Sequence, residues 1–504
     1  MLDSLPPPTP RRAPVPVGVS GFSLYLPRYR VRLGDWCEWT GASREKIHAT
    51  VGRSFRVLGP RESVYTMAAN AALRLILDYD VDPRSVGTLA LGTESSADDS
   101  AGAIVVKGML DRALEQLGRP RLSRHCEVPE IKHACLGGVY ALKHALRYVA
   151  TDGAGRRAIV ISADVAEYAR GSSGEPTQGA GAVAQLVEER PRLLGIDLRE
   201  AASAAAYRGV DFRKPRRRLL GAELPAGAVR LPDYPVFNGT YSTVCYTDEA
   251  LHAVARLIRK LDVTARELFH RMDGAFFHRP YHRLPVNVLA ALYVWGLTRD
   301  PGHHPELRRL ADACGARFDE VLREAAGHPD LFRDGALGDE INREAYPEAM
   351  KVVKHFRSTD KFRQVEARKI RLGLDAMKDL GNLYTASLPA WIAAGLEEAL
   401  DRDVELADRS FLAVGYGSGD AAEAMILRAV PGWREAARRI GFARACGAAI
   451  DLDREQYEAL HDGLPGPAPR YDPDGEFLVD RVGDTHTSAF QDRGIEYYRY
   501  HPPR

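Results

Sequence analysis

The residue of this sequence with the plainest chemical promise is Cys135, which stands just ahead of two glycines in "EIKHACLGGVYALKHALRYV", residues 130–149. A thiol at the first turn of a helix faces the positive end of the macrodipole, which favours thiolate, and Gly137 and Gly138 let an acyl chain approach the backbone. That is the setting of a nucleophile that carries an acyl group. An acyl-cysteine needs donors for its carbonyl oxygen, and the N–H of Cys135 with one from the turn "GYGSG", residues 415–419, could form an oxyanion hole. Three more residues mark the ends of elements: Glu94 in "GTESSADDS", His278 in "FFHRPYHRLP" and Asn382 in "GNLYTAS". Taken singly, they read as a solvated glutamate, a satisfied histidine and a helix cap.

What lifts them is the order of the elements around them. Buried strands are predicted at "VGVSGFSLYL" from 17, "VGTLALGTES" from 86, "AIVISADV" from 158, "GAVAQLV" from 181, "GAFFH" from 274 and "SFLAVGYGSG" from 410. Helical periodicity runs through "ESVYTMAANAALRLILDY" from 62, the stretch after Cys135, "TDEALHAVARLIRKL" from 247 and "SLPAWIAAGLEEAL" from 387. Alternating strands and helices make an α/β fold with central sheets covered by helices. The order occurs twice, so a duplicated unit is expected, and if its copies pack about a pseudo-dyad the four marked residues meet. The second copy is longer: 41 residues separate Glu94 from Cys135 and 104 separate His278 from Asn382. The difference is assigned to a charged helical insertion at about 298–370, read as a solvated excursion.

Composition narrows the function classes. The 504 residues are 45% hydrophobic and 27% charged, enough for two large domains or one duplicated architecture. With 69 basic against 68 acidic residues, the net charge of +1 gives no global reason to expect nucleic acid or a membrane surface as partner. The six cysteines (Cys37, Cys126, Cys135, Cys245, Cys314 and Cys446) are scattered, without the spacing of a disulfide framework or a zinc site, and fit a reducing, cytoplasmic compartment. The start, "MLDSLPPPTPRRAPVPV", lacks the apolar core of a signal peptide and is expected to be a disordered arm.

Together "EIKHACLGG", "FFHRPYHRLP", "GNLYTAS", "GTESSAD", "GAGAVAQLV" and "VGYGSGDAAEAM" resemble the hydroxymethylglutaryl-CoA synthase family of the thiolase-like superfamily, over about residues 17–430 apart from the insertion. The resemblance implies a homodimer of thiolase-like fold, built from βαβαβαββ halves at 17–192 and 193–462, between the arm at 1–16 and an extension at 463–504. It gives Glu94, Cys135 and His278 catalytic places, and Asn382, Ser418, Gly417, Tyr281, Arg283 and Asn238 places near the substrate. Arg283 stands for the family's lysine and Asn238 for its aspartate. The implied substrates are acetyl-CoA and acetoacetyl-CoA, with no metal or redox cofactor.

Several rivals use similar residues. A ketoacyl synthase III-like enzyme also uses Cys, His and Asn, but it forms its carbanion by decarboxylation and needs no carboxylate like Glu94. A degradative thiolase places a second cysteine where Ser418 stands. An HMG-synthase-like β-branching enzyme, acting on an acyl carrier protein, shares the triad. A non-catalytic scaffold would have no use for the triad. The run "DFRKPRRRLL", residues 211–220, gathers Arg213, Lys214, Arg216, Arg217 and Arg218, either as a solvated face or as an anion site for CoA phosphates or a carrier protein.

Overall fold

The six apolar runs expected as strands all join one nine-stranded sheet in the computed structural model, which describes residues 16–209, 211, 213–214, 234–236, 238–327, 344–464, 466–467 and 469–504. In chain order the strands are β1 (Val17–Tyr25), β2 (Val86–Gly92), β3 (Glu130–Ile131), β4 (Arg157–Ala166), β5 (Gly179–Glu189), β6 (Leu194–Ala205), β7 (Gly274–Phe277), β8 (Ser410–Gly417) and β9 (Ala421–Ala429). Their order across the sheet is β3-β2-β4-β5-β1-β6-β9-β8-β7. Outward from β1, the strands β5 and β4 run antiparallel to their neighbours and β2 runs parallel to β4. Outward from β6, β9 and β8 do the same and β7 is parallel to β8. The expected duplication is therefore written in the strand directions, and the copies join through the short β1–β6 pairing.

The helices repeat with the strands. The first copy carries α1 (Val64–Asp78), α2 (Gly102–Gln116) and α3 (Gly137–Ala150); the second carries α4 (Thr240–Leu261), then α5 (Arg283–Thr298), α6 (His304–Cys314), α7 (Phe318–Ala326), α8 (Pro347–Arg357), α9 (Asp360–Lys369) and α10 (Ser387–Asp401). A capping box at Ser63, where the Ser63 and Thr66 side chains bond each other's backbone, fixes the start of α1. The first copy runs β1-α1-β2-α2-β3-α3-β4-β5, the βαβαβαββ order expected, with the two-residue β3 as its edge strand. The second runs β6-α4-β7-α10-β8-β9, with α5 to α9 between β7 and α10 and no counterpart of β3 among the described residues.

Three strands of this sheet escaped the sequence reading: the two-residue β3 and the longer β6 and β9. β6 reads "LGIDLREAASAA" and β9 reads "AAEAMILRA", alanine-rich stretches whose own preference is helical. They are strands because they pair with each other in the middle of the sheet, an outcome of tertiary context.

The insertion is not a solvated excursion. Helices α6 to α9 pack on α5 or on one another, and Leu307, Val321, Val352, Phe356 and Phe362 are buried in the main core. Phe356 stacks on Tyr293 of α5 with ring centroids 4.5 Å apart. Polar outer faces produced the sequence impression, but each helix keeps an apolar stripe. Part of this insertion, 328–343, lies outside the described residues, as do most of the arm expected at 1–16 and Arg216, Arg217 and Arg218 of the basic run. In the extension, strands Glu476–Val482 and Glu496–His501 form a hairpin held to α1, where the Asn70 side chain exchanges two hydrogen bonds with the Phe477 backbone.

Candidate active site where the two copies meet

Equivalent strand ends open on one cavity of about 190 Å³. Glu94 reaches it from the end of β2, Cys135 from the loop before α3, His278 from the end of β7, Asn382 from the segment before α10, and Ser418 from the turn after β8, with Tyr281 beside them. Three residues given places near substrate are not in its lining. Arg283 opens α5, and the Asn238 N–H donates to Ser242 Oγ at 3.3 Å. Gly417 serves close approach: a Cβ there would lie 2.6 Å from the His133 carbonyl oxygen and 2.8 Å from the Leu136 nitrogen. Only glycine lets the β8 turn come up against the Cys135 loop.

Cys135 precedes Leu136, the cap of α3, and so lies outside the first helical turn where it was expected. Leu136 N–H bonds the His133 carbonyl at 2.9 Å and Gly137 N–H the Ala134 carbonyl at 3.3 Å, a tight turn around the thiol. Within it Ala134 takes a φ of +41°, a left-handed conformation that costs a residue with a side chain about 1 kcal/mol or more. Gly137 and Gly138 have a role other than room for an acyl chain. A Cβ on Gly138 would sit 2.2 Å from Ser162 Oγ, and one on Gly92 would sit 2.4 Å from the Gly138 Cα, so these glycines let α3 lie directly on the sheet.

The thiol is not the ready thiolate that a helix dipole would give. Burial pushes its pKa well up, and the carboxyls of Glu94 and Asp164 add to the effect. Its proton is directed to Glu94, with Sγ donating to Oε2 at 3.7 Å. Glu94 is itself pushed up to about 8, by burial first and by Asp164 second, against the pull of Lys214. A carboxyl able to take or give a proton near neutral pH thus lies beside the thiol.

Asp164 is a site residue that the sequence reading did not single out within the strand run from 158. Its Oδ1 accepts from Thr93 Oγ1 at 2.9 Å, Glu94 N–H at 2.8 Å, Ser95 N–H at 3.0 Å and Ser95 Oγ at 2.7 Å. Its Oδ2 accepts from Thr385 N–H at 3.0 Å and from the Thr385 hydroxyl. Burial raises the Asp164 pKa while these donors oppose it. One carboxylate so ties the Glu94 loop of the first copy to the segment before α10 of the second. A lone acid inside the apolar run "AIVISADV" was the signal for it.

His278 is fully enclosed, and burial holds its imidazole down to about 3, so the ring is neutral at ordinary pH. The His278 backbone N–H donates to the Val414 carbonyl at 2.7 Å, which continues the β7–β8 pairing, and the ring Nε2 has no protein partner among the described residues. Asn382 uses Oδ1 internally, accepting from Tyr384 N–H at 2.9 Å and Ser387 Oγ at 3.3 Å, but it is not a helix cap, since the residue that caps α10 is Ala386. The walls are aromatic, which sequence spacing did not reveal. Tyr246 and Tyr416 stack at 4.5 Å, Tyr168 and Tyr384 meet edge-on at 6.5 Å, and the Tyr246 hydroxyl donates to the His278 carbonyl at 2.7 Å.

Comparisons with known proteins find similarity to one group of enzymes. The family model described as hydroxymethylglutaryl-coenzyme A synthase N terminal matches residues 13–191. The chain is 27% identical over 403 residues to hydroxymethylglutaryl-CoA synthase of Haloferax volcanii, covering 80% of each chain. It is 26% identical over 465 residues to hydroxymethylglutaryl-CoA synthase erg13B of Aspergillus fumigatus, covering 89% of this chain and 90% of that protein. Among solved structures it is similar to MvaS in complex with 3-hydroxy-3-methylglutaryl coenzyme A, with TM-score 0.73, 25% identity and coverage of 96% and 99%. The fold also matches the curacin pathway HMG synthase in complex with holo donor-ACP, at TM-score 0.67, 19% identity and coverage of 96% and 100%.

Proposed function

We propose that the chain is a member of the hydroxymethylglutaryl-CoA synthase family, to which it is similar over most of its length, and that it condenses acetyl-CoA with acetoacetyl-CoA through an acetyl group carried on Cys135, giving 3-hydroxy-3-methylglutaryl-CoA and free CoA. The observation that carries this reading is the meeting of Cys135, Glu94 and His278 at one cavity, with Glu94 Oε2 3.7 Å from the thiol.

The thiol loses its proton to Glu94 as sulfur attacks the acetyl thioester, and the departing CoA sulfur takes that proton back. Glu94, again a carboxylate, removes a proton from the acetyl methyl, and burial together with Asp164 supplies the basicity for that step. The backbone N–H of Cys135 and the turn after β8 are the proposed donors to the enolate oxygen. The new carbanion forms a C–C bond to the ketone carbon of acetoacetyl-CoA. A neutral His278 suits hydrogen bonding to that ketone but not delivery of a proton as imidazolium. The alkoxide therefore takes its proton from Glu94, which holds the one removed from the methyl group. Water then cleaves the thioester at Cys135, restoring the thiol and leaving a free carboxylate on the product.

Lys214 lowers the Glu94 pKa, so one end of the basic run acts on the site, which supports a CoA phosphate near it. A homodimer and a cytoplasmic location belong to the same reading. The test is product analysis by mass spectrometry after mixing the protein with acetyl-CoA and acetoacetyl-CoA, beside a reaction offering acetoacetyl-carrier protein. The reading requires 3-hydroxy-3-methylglutaryl-CoA; turnover of the carrier-protein substrate alone would reject CoA as the acceptor's carrier.

A further inference from the structure

Behind the Tyr416 wall of the cavity lies a second group of acids that the condensation does not use. Asp211 and Asp420 are 1% and 3% exposed, and with the Cys245 thiol they bring ligand atoms within 4.8 Å of one another. The Tyr416 hydroxyl bonds both carboxyls, Asp211 Oδ2 at 3.1 Å and Asp420 Oδ1 at a shorter distance. Gly419 N–H donates to Asp420 Oδ1 at 2.7 Å. The second oxygens, Asp211 Oδ1 and Asp420 Oδ2, have no hydrogen-bond partner among the described residues.

Among the described residues the positive charge facing the pair is that of Arg208, and it is already engaged. Arg208 puts its guanidinium on Asp248 at 2.5 Å and Glu249 at 2.6 Å. The other groups facing the pair are uncharged when at rest: Ser242 and Tyr416 bond it, and Cys245 and Tyr241, one beside the other, lie against it and Arg208. Two ionised carboxylates in such a dry place repel each other strongly, and the cheapest remedy is a single proton held between them. Three potential ligand atoms and a tyrosine hydroxyl already bonded to both acids favour a proton over a metal ion there.

We propose that Asp211 and Asp420 share one proton and that this singly protonated pair is a positioning device, pinning Tyr416, and through its stack on Tyr246, the backbone of His278. The links are the Tyr416–Tyr246 stack at 4.5 Å and the Tyr246 bond to the His278 carbonyl at 2.7 Å. The pair touches no reacting atom. Its effect falls on the acceptor step, where His278 must meet a ketone, and leaves acetylation of Cys135 alone. Loss of the proton sets two negative charges against each other and loosens Tyr416. Asp420 is pushed up to about 8, by burial first and by Asp211 second, which puts that loss on the alkaline side of neutrality.

The inference rests on the proposed condensation, so its test has an arm that does not. An Asp420→Asn variant keeps the shape and a donor to Asp211 but cannot titrate. A carboxyl with a raised folded pKa loses stability as pH climbs from its unfolded value near 4 to its folded value, because the unfolded chain sheds the proton first. The Tm of Asp420→Asn relative to the parent should therefore rise between pH 5 and pH 8 and stay level above. In turnover, the parent should lose condensation above about pH 8 while still forming acetyl-enzyme, and the variant should show a flatter alkaline limb. Asp211→Asn should behave alike and serves if the first variant fails to fold. The inference is overturned by any of three results: a Tm difference independent of pH, an unchanged alkaline limb in both variants, or a metal ion that the parent binds one to one and the variants lose. A parent that acetylates but never condenses would reject the condensation reading and leave the Tm arm standing.

Discussion

The end of β2 in the first copy and the end of β7 in the second are equivalent places, yet one carries Glu94 and the other His278. Burial acts on both in the same sense, against charge, and so moves them oppositely on the pH scale: the carboxyl up to about 8, the imidazole down to about 3. What separates them is their company. Glu94 has the Asp164 carboxyl and the Cys135 thiol beside it, and so becomes a base with a proton to trade. His278 has an aromatic wall and an Nε2 without a partner among the described residues, and so becomes a neutral hydrogen-bonding group. One duplicated frame yields a proton-handling side and an acceptor-holding side, because strand ends recur while the loops that surround them do not.

The comparison breaks most visibly at the nucleophile. Cys135→Ala should abolish acetyl-enzyme and lower turnover by about 10⁴-fold or more, read by intact-protein mass and steady-state rate. Removing the base should cost less. Glu94→Ala should slow condensation by about 10²–10⁴-fold, while prolonged incubation with acetyl-CoA still acetylates Cys135. In the parent, exchange of acetyl methyl protons with deuterated water should rise with pH and reach half its maximum near 8, since the base works only when ionised. An exchange rate flat from pH 6 to pH 9 would reject Glu94 as that base.

A finer cut uses Asp164. With a like charge removed, Asp164→Asn should move the exchange profile to lower pH by about one unit and weaken the exchange, and the donors left poorly matched should cost about 1–3 kcal/mol of stability. Movement to higher pH would contradict its place beside Glu94. The smallest catalytic effect is expected from replacing residues of about 300–345 by a Gly/Ser linker. Acetyl-enzyme should still form, but Tm should fall because the buried Leu307, Ala311 and Val321 are lost from the core. Loss of acetylation in a folded variant would make the insertion part of the site.

Much of this was legible in the sequence where motif and element end coincide. Glu94, Cys135, His278 and Asn382 were marked because each ends or opens an apolar run, and those runs pair as the duplication required. Other features were hidden for physical reasons. The strands β6 and β9 are alanine-rich and owe their state to each other. The thiol's proton affinity depends on carboxyls brought from β2 and β4, which no spacing around Cys135 encodes. The glycines after Cys135 looked like room for substrate, whereas Ser162 and Gly92 explain them as close packing. Arg283 and Asn238 followed the motifs but stand outside the cavity lining, because adjacency in a motif does not fix which way a side chain faces, while Gly417 serves the close approach of the β8 turn to the Cys135 loop.

The division between the two sides is tested most directly by a chase of the acetylated protein. The parent and His278→Ala are each loaded with isotope-labelled acetyl-CoA, freed of excess, and mixed with acetoacetyl-CoA, and the label is followed on the Cys135 peptide and in product. The parent should pass its label into 3-hydroxy-3-methylglutaryl-CoA, while His278→Ala should load equally but keep the label on Cys135. Label on another residue, or a His278→Ala protein that discharges into product as fast as the parent, would contradict the account.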